Sequence, residues 1–174
     1  MLQCCDMSID VLVMRHALSE ANNWDNIGTP AHYAKNAPLM PKGREQARAK
    51  KGELITEYGI NPEETAAAVS TLERSPETGR EVGFAALRVY SLLDEFDPDD
   101  PKDWPLILKD LAKGRCPQEL LEEAYALLSN PPEEKVWISH GVKIAGIAHA
   151  LGGIKFANNR PYPGFCEITE LHID

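Results

Sequence analysis

Short apolar runs recur along this chain with helix-length segments between them, and that alternation restricts the fold more than any other feature. Ile9 to Met14 is an apolar run closed by Arg15-His16, and Val136-Trp137-Ile138-Ser139 leads into His140-Gly141. Short β-branched runs bounded by polar residues read as buried strands, and their alternation with helical segments predicts layered α/β architecture. Each histidine then stands where a strand ends, and in open α/β sheets sites are built at the carboxyl ends of strands. Two strand-end histidines, one preceded by arginine, point to a pocket for phosphate.

The segments between them fit the same scheme. Residues 17–40 read as a long polar loop with a helical turn. Residues 41–58 read as a helix, with Pro41 in its first turn and Gly59 just past its end. Ala66 to Thr71 reads as a second strand, 75–87 as a helix, and Leu87 to Leu93 as a third strand. The run 94–103 reads as a solvated acidic loop. Helices follow near 104–113 and 117–129, then a strand at 135–139 and a helix at 141–151. Phe165 to Ile173 alternates as a last, edge strand. No repeat or linker divides residues 1–174, so the reading is a single domain with a three-layer α/β/α sandwich and a mainly parallel central sheet. Strand order is not legible.

A chain of 174 residues is long enough to bury a substantial core without staples. Its formal net charge of -9 argues against nonspecific binding to nucleic acid or to anionic membranes, both of which need a positive field. No apolar stretch is long enough to span a bilayer. Cys4, Cys5, Cys116 and Cys166 form no C-x-x-C pair, which predicts reduced thiols and a cytoplasmic protein. His32, His149 and His172 lack ligand spacing, so no metal and no cofactor are expected.

Four blocks add chemistry to this frame. Arg15-His16-Ala17-Leu18-Ser19-Glu20-Ala21-Asn22 resembles the R-H-G-x-[ST]-x-x-N signature of the histidine phosphatase (phosphoglycerate mutase-like) superfamily. In the same order, Leu39 to Ala47 resembles its L-T-x-x-G-x-x-Q-A helix start, and Ser70 to Thr78 its S-x-L-x-R-A-x-x-T block. Ser139-His140-Gly141 resembles its second histidine block. The resemblance implies a phosphoglycerate mutase-like fold and a catalytic pocket of Arg15, His16, Arg74 and His140, with Ser19, Asn22 and Gly141 around the substrate. It further implies a metal-independent phosphatase in which His16 carries the phosphoryl group as phosphohistidine.

The chemistry of that set is coherent by itself. A phosphoryl group in transfer spreads charge over three oxygens, and planar guanidinium forks suit those oxygens. A neutral imidazole can attack phosphorus when its other nitrogen donates to a fixed acceptor. The superfamily often supplies the leaving group's proton from an acid after the third strand. Glu95 is the choice here, with Asp94 and Asp97 as competitors. Ser19 and Asn22 also read as cap or turn residues. Ala17 departs from the family glycine, which would matter if that backbone had positive φ. The substrate is expected to be a small phosphorylated molecule or a phosphoprotein. Mutase-type transfer and a phospho-ligand scaffold remain as alternatives, and the oligomeric state is not legible.

Overall fold

The computed structural model describes residues 9–23, 25, 34, 36–98, 103–153, 156 and 159–173. Cys4, Cys5 and His32 lie outside them. Five strands form one sheet: β1 (Ile9–Arg15), β2 (Ala66–Val69), β3 (Ala86–Val89), β4 (Val136–Ser139) and β5 (Ile168–Ile173). Their order is β3-β2-β4-β1-β5. The first four run parallel to one another, and β5 closes one edge antiparallel to β1.

Strand alternation sends side chains to two separate cores. Val11, Val13, Ala68 and Trp137 face α3 (Trp104–Ala112), α4 (Gln118–Ser129) and α5 (Gly141–Ala150). Met14, Ala67, Val69, Val136 and Ile138 face α1 (Pro41–Tyr58) and α2 (Arg74–Val82). The result is the three-layer α/β/α sandwich expected from the alternation. The alanine-rich β2 forms although alanine is a poor strand former, because helices cover both of its faces and burial, not propensity, decides.

Several boundaries differ from the sequence reading. The second helix stops at Val82 instead of 87, because Gly83 turns left-handed at φ 95° and its N–H caps the Gly79 and Arg80 carbonyls. The third strand is only Ala86–Val89, and Ser91–Leu93 wind into a 3-10 turn. The last strand starts at Ile168, not Phe165.

This topology makes the connections diverge between two neighbouring strands. β1 and β4 are adjacent and parallel, yet the chain leaving β1 builds α1 on one face while the chain leaving β4 enters α5 on the other. Their carboxyl ends therefore diverge, as at the switch points where α/β sheets bind ligands. Glycine at 43 lets α1 close against the segment that leaves β1. A Cβ there would collide with the Leu18 carbonyl oxygen, which also accepts the Met40 N–H at 3.0 Å. Gly43→Ala is expected to cost about 2 kcal/mol or more by overpacking. Gly52→Ala, in the same helix with nothing within 4 Å, should instead gain about 0.5–1 kcal/mol. Urea denaturation midpoints of the two variants should move in opposite directions.

Candidate active site

Arg15 pairs with Ser139 in the β1–β4 ladder, so His16 and His140 are the next residues out of the sheet on adjacent strands. The His16 N–H still donates to the Ser139 carbonyl at 2.9 Å. Both rings are enclosed, at 2% and 0% exposure, with centroids 4.9 Å apart. Positions more than a hundred residues apart thus stand ring beside ring.

The His16 ring has its protonation pattern set by its own chain. Nδ1 lies 2.7 Å from the Ala17 carbonyl oxygen. A carbonyl can only accept, so Nδ1 carries the hydrogen and Nε2 keeps its lone pair. Arg74 Nε donates towards that lone pair at 3.3 Å. Burial, then the charges of Arg74 and Arg15, hold the His16 pKa well below 6.5. A neutral imidazole is what an attacking nitrogen requires.

The loop carrying His16 is pinned from α2. The Ala17 N–H donates to Thr78 Oγ1 at 3.0 Å, and Thr78 Oγ1 donates to the Arg74 carbonyl at 2.6 Å. Gln46 Oε1 accepts the Leu18 N–H, and buried Glu77 accepts the Leu39 N–H while pairing with Arg44. Ala17 itself carries no backbone strain: among the described residues only Asn159 and Cys166 are non-glycine residues with positive φ. Its methyl is fully buried, which is the physical reason alanine serves there.

Two guanidinium groups flank the histidines. Arg74 sits in the first turn of α2 and is buried. Arg15 closes β1; its Nη1 donates to the Pro163 carbonyl at 2.9 Å, and its Cζ lies 4.0 Å from the Phe165 ring centroid and 5.4 Å from that of Tyr162. A stacked, anchored fork of this kind is preorganised. Arg15 Nε is buried with no acceptor, a donor left over for a ligand. Gly141 makes room for it, since a Cβ there would come within 3.2 Å of Arg15 Cζ and Nε. Burial lowers the pKa of both arginines and Glu95 opposes it, but a guanidinium in a protein stays charged.

The acidic run is not one solvated loop. Leu93 and Phe96 enter the core on either side of Asp94 and Glu95. Asp94 is committed elsewhere: its two oxygens accept the Thr71 N–H and Oγ1–H, each at 2.6 Å. Asp97 is exposed. Glu95 turns inward, and its Oε1 accepts the Lys143 N–H of α5 at 3.0 Å and the Phe96 N–H at 3.2 Å. Burial raises its pKa, against the pull of Arg74, the Lys143 amide and Arg15. Ser19 and Asn22 are brought together as a turn, Ser19 Oγ donating to Asn22 Oδ1 at 2.7 Å before the 3-10 segment Glu20–Asn22. Among the described residues, no hydrogen bond joins either one to the histidines.

Sequence reasoning missed Ser70, whose Oγ lies 2.7 Å from His140 Nε2, and the aromatic floor of Tyr162 and Phe165 under Arg15. Ser70 and Thr78 both fell inside a recognised block, which was the available signal. The 160–165 stretch offered none. Two surface depressions, of about 340 and 520 Å³, lie at the amino end of the strands, the first lined by Glu64, Arg88 and Glu134 and the second by Asp10, Tyr58 and His172. Neither includes His16, His140, Arg15 or Arg74. Among the described residues no group of three His, Cys, Asp or Glu side chains could hold a metal, and no helix is long and apolar enough to cross a membrane.

Solved structures share this arrangement of strands and helices. A mycobacterial glucosyl-3-phosphoglycerate phosphatase complexed with VO3 superposes with a TM-score of 0.61 at 20% identity, over 93% of this chain and 90% of its own. A phosphoglycerate mutase from Thermus thermophilus does so with a TM-score of 0.60 at 19% identity, over 94% and 92%. The chain has the phosphoglycerate mutase-like fold. The likeness to a chain described as a SixA phosphohistidine phosphatase from Nakamurella multipartitia is looser: a TM-score of 0.47 at 18% identity, over 82% of this chain and 64% of that one. No family model matches the sequence, and no curated protein matches it. Within the phosphoglycerate mutase-like fold, His16, His140, Arg15 and Arg74 stand together at the carboxyl end of β1, β4 and the start of α2.

Proposed function

We propose that this chain is a phosphomonoesterase of the histidine phosphatase superfamily. The observation that carries the reading is the locked His16 imidazole, with Nδ1–H bound to the Ala17 carbonyl and an Nε2 lone pair that, among the described residues, meets only the Arg74 guanidinium, with half-buried Arg15 close by. The fold neighbours named as a phosphatase and as a mutase support phosphoryl-transfer chemistry.

In the proposed reaction, His16 Nε2 forms a bond to phosphorus as the ester P–O bond breaks. Arg15, Arg74 and His140 hold the equatorial oxygens, whose charge is the main thing to be stabilised. Glu95 gives its proton to the departing alkoxide. The Glu95 carboxylate then takes a proton from a water that attacks phosphorus, the P–N bond breaks, and phosphate leaves with His16 restored. The directions of the two shifts suit these roles: burial raises the Glu95 pKa, which favours the protonated acid, and lowers that of His16, which favours the neutral nucleophile. The substrate is a phosphomonoester, small or protein-borne, met in a reducing cytoplasm where Cys116 and Cys166 stay free.

Incubation with a panel of phosphomonoesters, reading released phosphate, tests the proposal. Turnover supports it; phosphate binding without turnover of any ester would replace it with a binding module. Glu95→Gln separates the acid's role from the nucleophile's. Alkyl phosphates should slow by about 10²-fold or more, the scale of general acid catalysis. 4-Nitrophenyl phosphate, whose leaving group needs little help, should slow far less. Equal losses on both esters would remove Glu95 as the donor.

A further inference from the structure

We propose that Ser70 is a positioning residue that fixes His140 as its Nδ1–H tautomer, so that a neutral imidazole N–H is presented to the oxygens of a bound phosphoryl group. The consequence for catalysis rests on the phosphomonoesterase reading; the tautomer does not.

The argument is a count of hydrogens. Ser70 is fully buried at the end of β2. Its N–H donates to Ser75 Oγ at 3.0 Å, and Ser75 Oγ donates in turn to the Ile138 carbonyl at 2.7 Å. The Ser70 hydroxyl oxygen accepts the Leu72 N–H at 3.2 Å. Its own proton still needs an acceptor, and among the described residues the one in reach is His140 Nε2, at 2.7 Å.

Two neutral assignments are open. If Nε2 carried the hydrogen, it would donate to Ser70, leaving the serine proton with no acceptor and Nδ1 a lone pair with no donor. Two buried polar groups would be unmet. If Ser70 donates to Nε2, the hydrogen is on Nδ1, and only that N–H is unmet. The second assignment leaves fewer buried groups without partners. Protonation of both nitrogens would again orphan the serine proton and place another cation beside Arg15 and Arg74. Burial, His16 and those guanidinium groups press the His140 pKa well below 6.5, in keeping with a neutral ring.

What remains is one buried N–H with nothing to donate to, on a ring whose centroid is 4.9 Å from that of His16. A preorganised donor beside the attacking atom needs no reorganisation when charge arrives. Ser70 therefore acts through His140, fixing both which nitrogen holds the hydrogen and where the ring stands.

Long-range 1H–15N correlation on the full chain, labelled at histidine, reads the tautomer without any ligand. His140 is assigned by the signals lost in His140→Gln. The expected pattern is Nδ1–H, and its proton resonance should shift when inorganic phosphate is titrated in. Ser70→Ala should lose that pattern and lower kcat by roughly 10- to 100-fold, the scale of a misaimed oxyanion donor, with KM changed less. Ser70→Thr, which keeps the hydroxyl, should restore both. An Nε2–H or doubly protonated His140 in the wild-type protein overturns the proposal, and that reading stands even if Ser70→Ala does not fold. So does an unchanged tautomer and kcat in Ser70→Ala. Absence of ester hydrolysis by wild-type protein, with the Nδ1–H pattern present, would sink the phosphomonoesterase reading and leave the tautomer intact.

Discussion

Replacing His16 with alanine is expected to lower kcat/KM for phosphomonoesters by at least about 10⁴-fold, the scale on which loss of a covalent nucleophile acts. The loss should fall on chemistry and spare binding. Arg15 keeps its seat on Pro163 and Phe165, and His140 keeps Ser70, whether or not His16 has a ring. Inorganic phosphate or vanadate should accordingly bind the variant within a few-fold of wild type. Rapid acid-free quenching with labelled substrate should trap an alkali-stable phosphoenzyme in wild-type protein and none in the variant. A variant that still turns over at a normal rate would remove His16 as the attacking group. A variant that loses anion binding and activity together would make His16 part of the anion seat, and the attacking atom would have to be sought elsewhere.

The parts of this picture that were legible in the sequence are those set by local pattern. The β1 and β4 runs, each ending at a histidine, need only hydrophobic periodicity to be found. Gly59 marks the end of α1 because only its left-handed φ of 66° fits that cap comfortably. The end of α2 was misplaced for the same kind of reason: Gly83 does at 83 what a five-residue-longer helix would have needed a later glycine to do. In the acidic run, composition is blind to partner choice. Asp94 and Glu95 are neighbours of like charge, yet Thr71 takes one and the start of α5 takes the other. Ser70 and His140, or Arg15 and Pro163, meet only because the sheet order places them side by side, and sheet order is not written in any local stretch. The Gly43 contact is similar, since it depends on where Leu18 lies after β1 ends.

Stability is expected to fall steeply as the pH drops below about 5.5. Burial and neighbouring cations hold His16 and His140 neutral in the folded protein, with pKa well below 6.5. In the unfolded chain both imidazoles take up a proton near their ordinary pKa. Below that point the unfolded state binds two protons that the folded state refuses, so stability rises with pH and is lost on acidification. Each ring contributes a slope of about 1.4 kcal/mol per pH unit. Glu95 works with the opposite sign, because its pKa is raised above 4.5 and the folded protein keeps a proton there that the unfolded chain has released. Between about pH 6.5 and 7.5 this offsets the imidazoles, which are only partly protonated in the unfolded chain; below about pH 5.5, where both are protonated there, one proton cannot cancel two and about 1.4 kcal/mol per pH unit remains. A domain's whole stability is about 5–15 kcal/mol, so two pH units consume a large share of it. Thermal melts at about pH 5.5 and about pH 4.5 should differ by several degrees. His16→Asn should flatten that dependence by removing one of the two protons. A melting temperature indifferent to pH over this range would mean the imidazoles can charge inside the fold, and a neutral His16 lone pair could then not be the resting state of the site.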